Sequence, residues 1–360
     1  MKKAMIAMSG GVDSAVAALL MKEAGYDCCG VTMRLYREAA FQPENKKSCC
    51  SDEDEDDAAF VCYQLGIPHE TQCYSRQFEQ QVIRRFIREY EAGYTPNPCI
   101  ECNRYLKFDE LMNYARSSGY DVLVTGHYAR ITREESTGRR QLRKAVDETK
   151  DQSYVLYMLT QEQLKYLCFP LGELLKTDAR EIAAQHGLAN AKKHESQDIC
   201  FIPDGDYGAF LERRTGKTYP PGDIVDENGK IVGQHHGLIR YTIGQRRGLH
   251  VAMRERIYVT KKDIANNTLS VSTEKELFHH GLVAGNFNWL SIPTPEGEIT
   301  VTARTRYHQI EKPATARPLP DGSVKILFEE GQRAVTPGQA VVLYDGDLVL
   351  GGGEICEVLE

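Results

Sequence analysis

Two groups of residues in this 360-residue chain are typed and spaced for chemistry. One is Ser9-Gly10-Gly11-Val12-Asp13-Ser14, which follows the apolar run Ala4 to Met8 and precedes Ala15 to Met21. A turn rich in Ser and Gly between a buried strand and a helix start aims several backbone N–H groups at one point. The helix dipole adds partial positive charge there, so the point suits phosphate. The loop lacks the Gly-Lys-Ser/Thr ending of a Walker loop and does not read as one. The other group is sulfur. Of 11 cysteines, Cys49, Cys50, Cys99, Cys102 and Cys200 fall in predicted loops, where reactive groups concentrate. Cys28, Cys29, Cys62, Cys73, Cys168 and Cys356 sit in apolar surroundings and read as small core residues. Cys99-Ile100-Glu101-Cys102 is open to three readings: a redox pair, half a zinc site, or two cluster ligands. Sulfur transfer needs a thiolate or persulfide carrier and a second thiol to release the sulfur, roles that Cys102 and Cys200 could fill.

The segments that must position these groups alternate strand and helix. Ala4 to Met8, Cys28 to Met33, Ile67 to Thr71 and Asp121 to Thr125 read as four strands. Between them, Asp52 to Leu65 reads as an acid-led helix stopped by Gly66. Phe78 to Tyr90 reads as an amphipathic helix with Arg84, Arg85 and Arg88 on its polar side. This order predicts an α/β fold with an open parallel sheet, and ligands at the carboxyl ends of its strands. Ser9 to Ser14, Met33 and Gly126-His127 fall at those ends, so one pocket could collect them. Thr95 to Asn103, with two prolines and two asparagines, reads as a rigid non-helical loop, with a helix opening at Lys107. Cys200 lies in the polar loop His194 to Pro203.

The second half changes character. Helical pattern continues over Lys176 to His186 and Asp206 to Arg214; from Thr215 the chain is Gly- and Pro-rich with short strands. Beyond Leu282, alternating strands separated by turns such as Asp321-Gly322 predict a small antiparallel β-barrel. Three domains are expected, over residues 1–205, 206–280 and 281–360. Hydrophobic content of 41% and charged content of 26% are those of an ordinary globular protein. With net charge −7, any nucleic-acid binding must rest on local patches. Arg130, Arg133, Arg139, Arg140, Arg143, Lys144 and Lys150 supply one, on a predicted hairpin. Gly244 to Gly248 supplies another. No apolar run is long enough to span a bilayer, so no membrane partner is expected and the cytoplasm is the expected location.

Ser9 to Ser14 resembles the pyrophosphate loop (PP-loop) of ATP pyrophosphatases. Asn97-Pro98-Cys99 through Cys102-Asn103, Gly126 to Arg130, Asp151 to Tyr154, Glu195 to Phe201, Tyr241 to Leu249 and Ala303 to Tyr307 follow it in order. From Ala7 to about Ile355 the chain resembles the tRNA-specific 2-thiouridylase family. The resemblance implies that ATP adenylates the C2 oxygen of the wobble uridine of tRNA. A cysteine persulfide then supplies sulfur, giving 2-thiouridine, AMP and pyrophosphate. It implies that Ala7, Met8, Ser9, Gly10, Gly11, Val12, Asp13 and Ser14 bind ATP, with Met33 and Gly126. Cys200 would carry the persulfide and Cys102 would be its nucleophilic partner, leaving a Cys102–Cys200 disulfide after each turnover. Asn97, Pro98 and Cys99 would receive the flipped-out base. His127, Lys150, Asp151, Gln152, Arg306, Tyr307 and Gln339 would touch tRNA. The partner supplying sulfur would be an upstream persulfide donor, a cysteine desulfurase or relay protein. ATP chemistry calls for Mg²⁺, although no metal ligand is assigned. Some members carry Asp where this chain has Cys99, cast there as an acid–base group. The third cysteine leaves open a route through an iron–sulfur cluster on Cys99, Cys102 and Cys200. An amide-forming ATP pyrophosphatase acting on a small molecule, and a non-catalytic metal- or cluster-binding RNA module, also remain open.

Overall fold

The structure is a computed structural model and describes residues 1–36, 52–191, 193 and 199–359. Cys49, Cys50 and the stretch from His194 to Asp198 lie outside the described residues. Strands β1 (Lys3–Ala7), β2 (Asp27–Arg34), β3 (His69–Cys73) and β4 (Val122–Val124) are followed by a hairpin, β5 (Arg130–Arg133) and β6 (Arg140–Arg143), and by the short β7 (Leu167–Cys168). Their first sheet runs β3-β2-β1-β4-β7, and every pair in it is parallel. From Ala4 on, β1 is apolar because both faces are covered. Met5 packs into one core, while Ala4 and Ile6 join helix α1 (Val12–Glu23) in another.

Helix α2 (Asp52–Leu65) ends at Gly66, whose φ of +63° is the left-handed cap expected of glycine. Helix α3, residues 75–91, comprises Ser75–Phe78, a wider π stretch over Glu79–Ile83, and Arg84–Glu91. Its Arg85 is not on a solvated face; it is enclosed by carboxylates described below.

The expected loop from Thr95 to Asn103 holds only as far as Asn97; from Pro98 on, the chain is helical. Helix α4, residues 98–117, begins at Pro98 and carries Cys99 and Cys102 on its first turns. The residues that suggested a loop are its start signals. Asn97 is the N-cap, its Oδ1 accepting from Cys99 N at 3.1 Å, and Pro98 holds the first helical position, where no N–H is needed. From Cys102 to Glu110 the helix is wound as a π-helix, a form concentrated at functional sites.

Helices α5 (Gln161–Tyr166), α6 (Lys176–Gln185) and α7 (Tyr207–Thr215) complete this part. A second sheet follows, built from β8 (Gly222–Val225), β9 (Ile231–His235), β10 (Ile257–Asp263) and β11 (Thr268–Thr273) around Ile224, Val259, Leu269 and Val271. The last six strands are β12 (Phe278–Trp289), β13 (Ile299–Arg304), β14 (Lys312–Pro318), β15 (Val324–Arg333), β16 (Ala340–Asp345) and β17 (Leu348–Leu359). They run β12-β15-β14-β13-β16-β17, and antiparallel pairing of β12 with β17 closes the barrel. No helix among the described residues is long and apolar enough to cross a membrane.

Two further expectations change. The basic hairpin is not a free cationic surface: β6 pairs with β17, extending the barrel sheet into the first domain. Arg130 and Arg143 both bind Asp347, at 2.6 and 2.5 Å. Lys144 binds Glu311 at 2.6 Å, and Arg139 donates to the carbonyls of Trp289 and Leu290. Cys73 and Cys356 are exposed rather than core, and Cys168 is half-buried. Both exposed cysteines lie on strands, where alternate side chains face away from the core.

Because Asn97 caps the helix bearing two of the cysteines, Asn97→Ala should cost about 1 kcal/mol, seen as a lower urea midpoint. Asn97→Asp should retain most of it.

Candidate nucleotide and thiol site

The Ser9–Ser14 loop is fixed by backbone contact on two sides. Gly10 has φ +71°, and a Cβ there would stand 2.4 Å from the Asp54 carbonyl oxygen. Gly126, just past β4, lies so close that its Cβ would meet the Asp13 carbonyl carbon and Ser14 N at 2.9 Å each. Inside the loop, Ser14 Oγ donates to Gly11 O at 3.0 Å and accepts from Ser9 N at 3.2 Å. Asn190 Nδ2 donates to Gly10 O at 3.2 Å. Ala7 ends β1, and Gly11 is the N-cap of α1.

Two adjoining cavities open on this loop and share Ser9, Asp54, Lys107 and Gln152 in their walls. The larger, about 850 Å³, is lined by Gly11, Val12, Asp13, Lys150, Asp151, Lys176, Lys193 and, from the barrel, Arg304 and Tyr307. The smaller, about 290 Å³, has Met8, Met33, Pro98, Cys99, Cys102, His127 and Cys200 in its wall. Cys102 and Cys200 therefore face one space from different elements, both half-buried. Cys200 is held on each side: Tyr36 Oη donates to its carbonyl at 2.8 Å, and the next ring, Phe201, packs on Phe78, Phe86 and Phe210. By contrast, burial pushes the Cys28 thiol up to about 11 and the Cys62 thiol up to about 12, keeping both protonated and unreactive.

The charges at the loop were not legible beforehand. Lys176, the first residue of α6, is 7% exposed, and its Nζ lies 2.6 and 2.8 Å from the two oxygens of Asp13. Tyr128 Oη donates to the same carboxylate at 3.0 Å. Lys193 bridges Asp54 and Asp57 of α2 at 2.5 Å each. A lysine opening an ordinary helix gives no sequence signal for such a place; only the fold brings it to Asp13.

The remaining expected residues divide. Lys150, Asp151, Gln152 and Tyr307 line the larger cavity. Within it Asp151 is 6% exposed and accepts from Ala145 N and from Ser153, with Arg304 at 3.6 Å. Arg306 and Gln339 line neither cavity. Arg306 donates to the carbonyls of Ile243 and Ala334 and to Thr336, and Gln339 donates to Thr95 O at 2.5 Å. Asn97 faces a small void of about 20 Å³ on the other side of α4. His127 lies inside the molecule. Its Nδ1 pairs with Thr125 Oγ1 at 2.7 Å and its ring packs between Phe108 and Phe169. Burial, with the Lys107 charge, holds its pKa well below the usual histidine value, so the ring is neutral.

The parallel sheet, its Ser-Gly-Gly-Val-Asp-Ser turn and the cavity at the strand ends define a nucleotide-binding domain of the ATP pyrophosphatase type. Family models agree. One described as tRNA methyl transferase HUP domain matches residues 2–204. A PRC-barrel domain model of the same series matches 208–273, and an aminomethyltransferase beta-barrel domain model matches 279–355. Curated relatives align over almost their whole length. The tRNA-specific 2-thiouridylase MnmA of Clostridium acetobutylicum is 46% identical, over 98% of this chain and 99% of that protein. The enzymes of the same name from Geotalea uraniireducens and Acetivibrio thermocellus are each 46% identical over 98% of this chain, and over 95% and 99% of their own. The chain belongs to the tRNA-specific 2-thiouridylase family.

A depressed histidine pKa means that the unfolded chain takes up protons the folded one refuses. Stability linked to His127 is thus present above the ordinary value of 6.5 and is lost as pH falls below it. Urea midpoints of wild type and His127→Gln, compared at neutral pH and at about pH 5.5, should show the shallower acid loss in the variant.

Proposed function

We propose that this protein makes 2-thiouridine at the wobble position of tRNA in two steps within the joined cavities. The observation that carries the reading is that Cys102 and Cys200 line one cavity, and that this cavity opens on the Ser9–Ser14 loop.

The loop amides, the α1 N-terminus and Lys176 bind the phosphates of ATP, and Met33 packs on the base beside them. Attack by the uridine C2 oxygen on the α-phosphorus breaks the bond to pyrophosphate and makes C2 electrophilic, with AMP as the later leaving group. The base must leave its stack to reach this depth, and Pro98 and Cys99 at the head of α4 receive it, with Asn97 capping that helix from the far side. Cys200 carries a sulfane sulfur as a persulfide. Attack of the Cys102 thiolate on Cys200 Sγ forms the Cys102–Cys200 disulfide and releases hydrosulfide beside C2. Hydrosulfide adds to C2, AMP departs with the former oxygen, and 2-thiouridine remains. A thiol reductant then returns the disulfide to two thiols, and an upstream persulfide donor, a cysteine desulfurase or a relay protein, reloads Cys200. The expected cytoplasmic location is in keeping with a tRNA substrate.

Mg²⁺ commonly binds through one or two carboxylates together with substrate phosphates, and Asp13 and Asp54 at the loop suit that role. It would neutralise the departing pyrophosphate. The iron–sulfur variant is less well supported. Cys99, Cys102 and Cys200 line the same wall, yet no group of three His, Cys, Asp or Glu side chains among the described residues is gathered to hold a metal ion.

Incubating the protein with ATP, a persulfide source and tRNA, then digesting the tRNA, should yield 2-thiouridine. Cys102→Ser and Cys200→Ser should each abolish it while leaving ATP binding intact. Thiolation undiminished in both variants would overturn the reading. Lys176→Met should weaken ATP binding, measured calorimetrically, about 10- to 100-fold. That is the loss expected for one charged hydrogen-bonding partner.

A further inference from the structure

The cavities account for one side of α4. The other side, facing the barrel, is organised around one arginine. Arg85 projects from α3 and its guanidinium meets three carboxylates on three elements. Nε binds Glu89 of its own helix at 2.5 Å, Nη1 binds Glu101 on the first turn of α4 at 2.9 Å, and Nη2 binds Glu354 on barrel strand β17 at 3.0 Å. Glu101 is 8% exposed and directly precedes Cys102 in the chain. Burial pushes the Glu89 and Glu101 carboxyls up, and Arg85 opposes the shift in both.

The segment leading into α4 is tied to the barrel as well. Thr95 N donates to Pro337 O at 3.2 Å, and Gln339 holds the Thr95 carbonyl. A Cβ on Gly352 of β17 would stand 2.7 Å from the Tyr157 ring, so the barrel strand lies in close contact with the first domain at that point.

We propose that Arg85 is a positioning residue for Cys102. It clamps the first turn of α4 between α3 and β17, so that the seating of the barrel sets where the Cys102 thiol stands in the cavity. A guanidinium suits this task because its rigid planar fork serves three acceptors in different directions at once, which a lysine ammonium on a flexible stem does not. Placement matters because sulfur transfer depends on near-attack geometry, and a displacement of about 1 Å can cost about 100-fold. The same contacts give Gln339 a role inside the molecule, as a strut on the segment that precedes Asn97. The proposal rests on the reading of Cys102 as the thiol that opens the persulfide.

The test uses full-length Arg85→Lys and Glu354→Ala, with Glu354→Gln as the mildest variant should the others fail to fold. Three quantities are read: KM for ATP, kcat for tRNA thiolation, and the rate at which iodoacetamide alkylates Cys102, followed by peptide mass spectrometry without ATP or tRNA. The KM for ATP should stay within about twofold, since the Ser9–Ser14 loop lies outside the clamp. The kcat should fall about tenfold or more. Alkylation should change about threefold or more, because the first turn of α4 no longer holds the thiol at one place in the cavity wall. Folded variants with wild-type kcat and wild-type alkylation would overturn the proposal. So would a rise confined to the KM for tRNA, which would make the joint a shaper of the RNA surface only. If wild-type protein makes no 2-thiouridine, the functional reading fails, and alkylation alone decides the clamp.

Discussion

The Ser9–Ser14 loop is pressed between the backbone of α2 and the end of β4 with no room for a single added carbon at Gly10 or Gly126. Most of what the site can do follows from that closeness. Amides held this tightly need no rearrangement when an anion arrives, which is the condition for electrostatic stabilisation to be useful in a reaction. The contact also determines which elements become neighbours. The carbonyl that touches Gly10 belongs to Asp54, whose carboxylate holds Lys193, and the loop's own Asp13 holds Lys176. The pocket is thus a lattice of cations already matched to carboxylates. Such pairs add little net stability when buried, but they keep the lysines oriented at the place where phosphate charge would enter.

Much of the first domain was legible because its signals are local. A continuously apolar β1 predicts burial on both faces, the acidic start of α2 follows the helix dipole, and Gly66 ends that helix as its conformational freedom allows. The closed barrel announced itself through alternation and turns. The chief error was also local in origin. Pro and Asn serve loops and helix starts alike, and only the Asn97–Cys99 hydrogen bond separates the two uses. The long π-wound stretch from Cys102 to Glu110 has no known sequence signature to betray it.

The parts of the site that stayed hidden depend on long-range contact. Lys176 reaches Asp13 across 163 positions, and Arg85 reaches Glu354 across 269. The basic hairpin misled for a related reason. Clustered cations in sequence suggest a phosphate neighbour, yet Arg130, Arg143 and Lys144 had acidic partners far along the chain, Asp347 and Glu311. His127 was ambiguous as a lone histidine. Its neutral state follows from burial, beside Phe108 and Phe169 of two other segments, and from the Lys107 charge.

The pairing of β6 with β17 carries a consequence for how the chain can be divided. A closed barrel ordinarily leaves no unsatisfied rim, but here its last strand hydrogen-bonds outward to a hairpin of the preceding fold. Cutting the chain before β12 would strip β6 of that neighbour and leave Arg130, Arg143 and Lys144 without Asp347 and Glu311. The fragment would then present a bare strand edge of the kind that recruits other copies into aggregates. The barrel is thus also a cover for the nucleotide-binding half, and the two are best thought of as a single heritable unit.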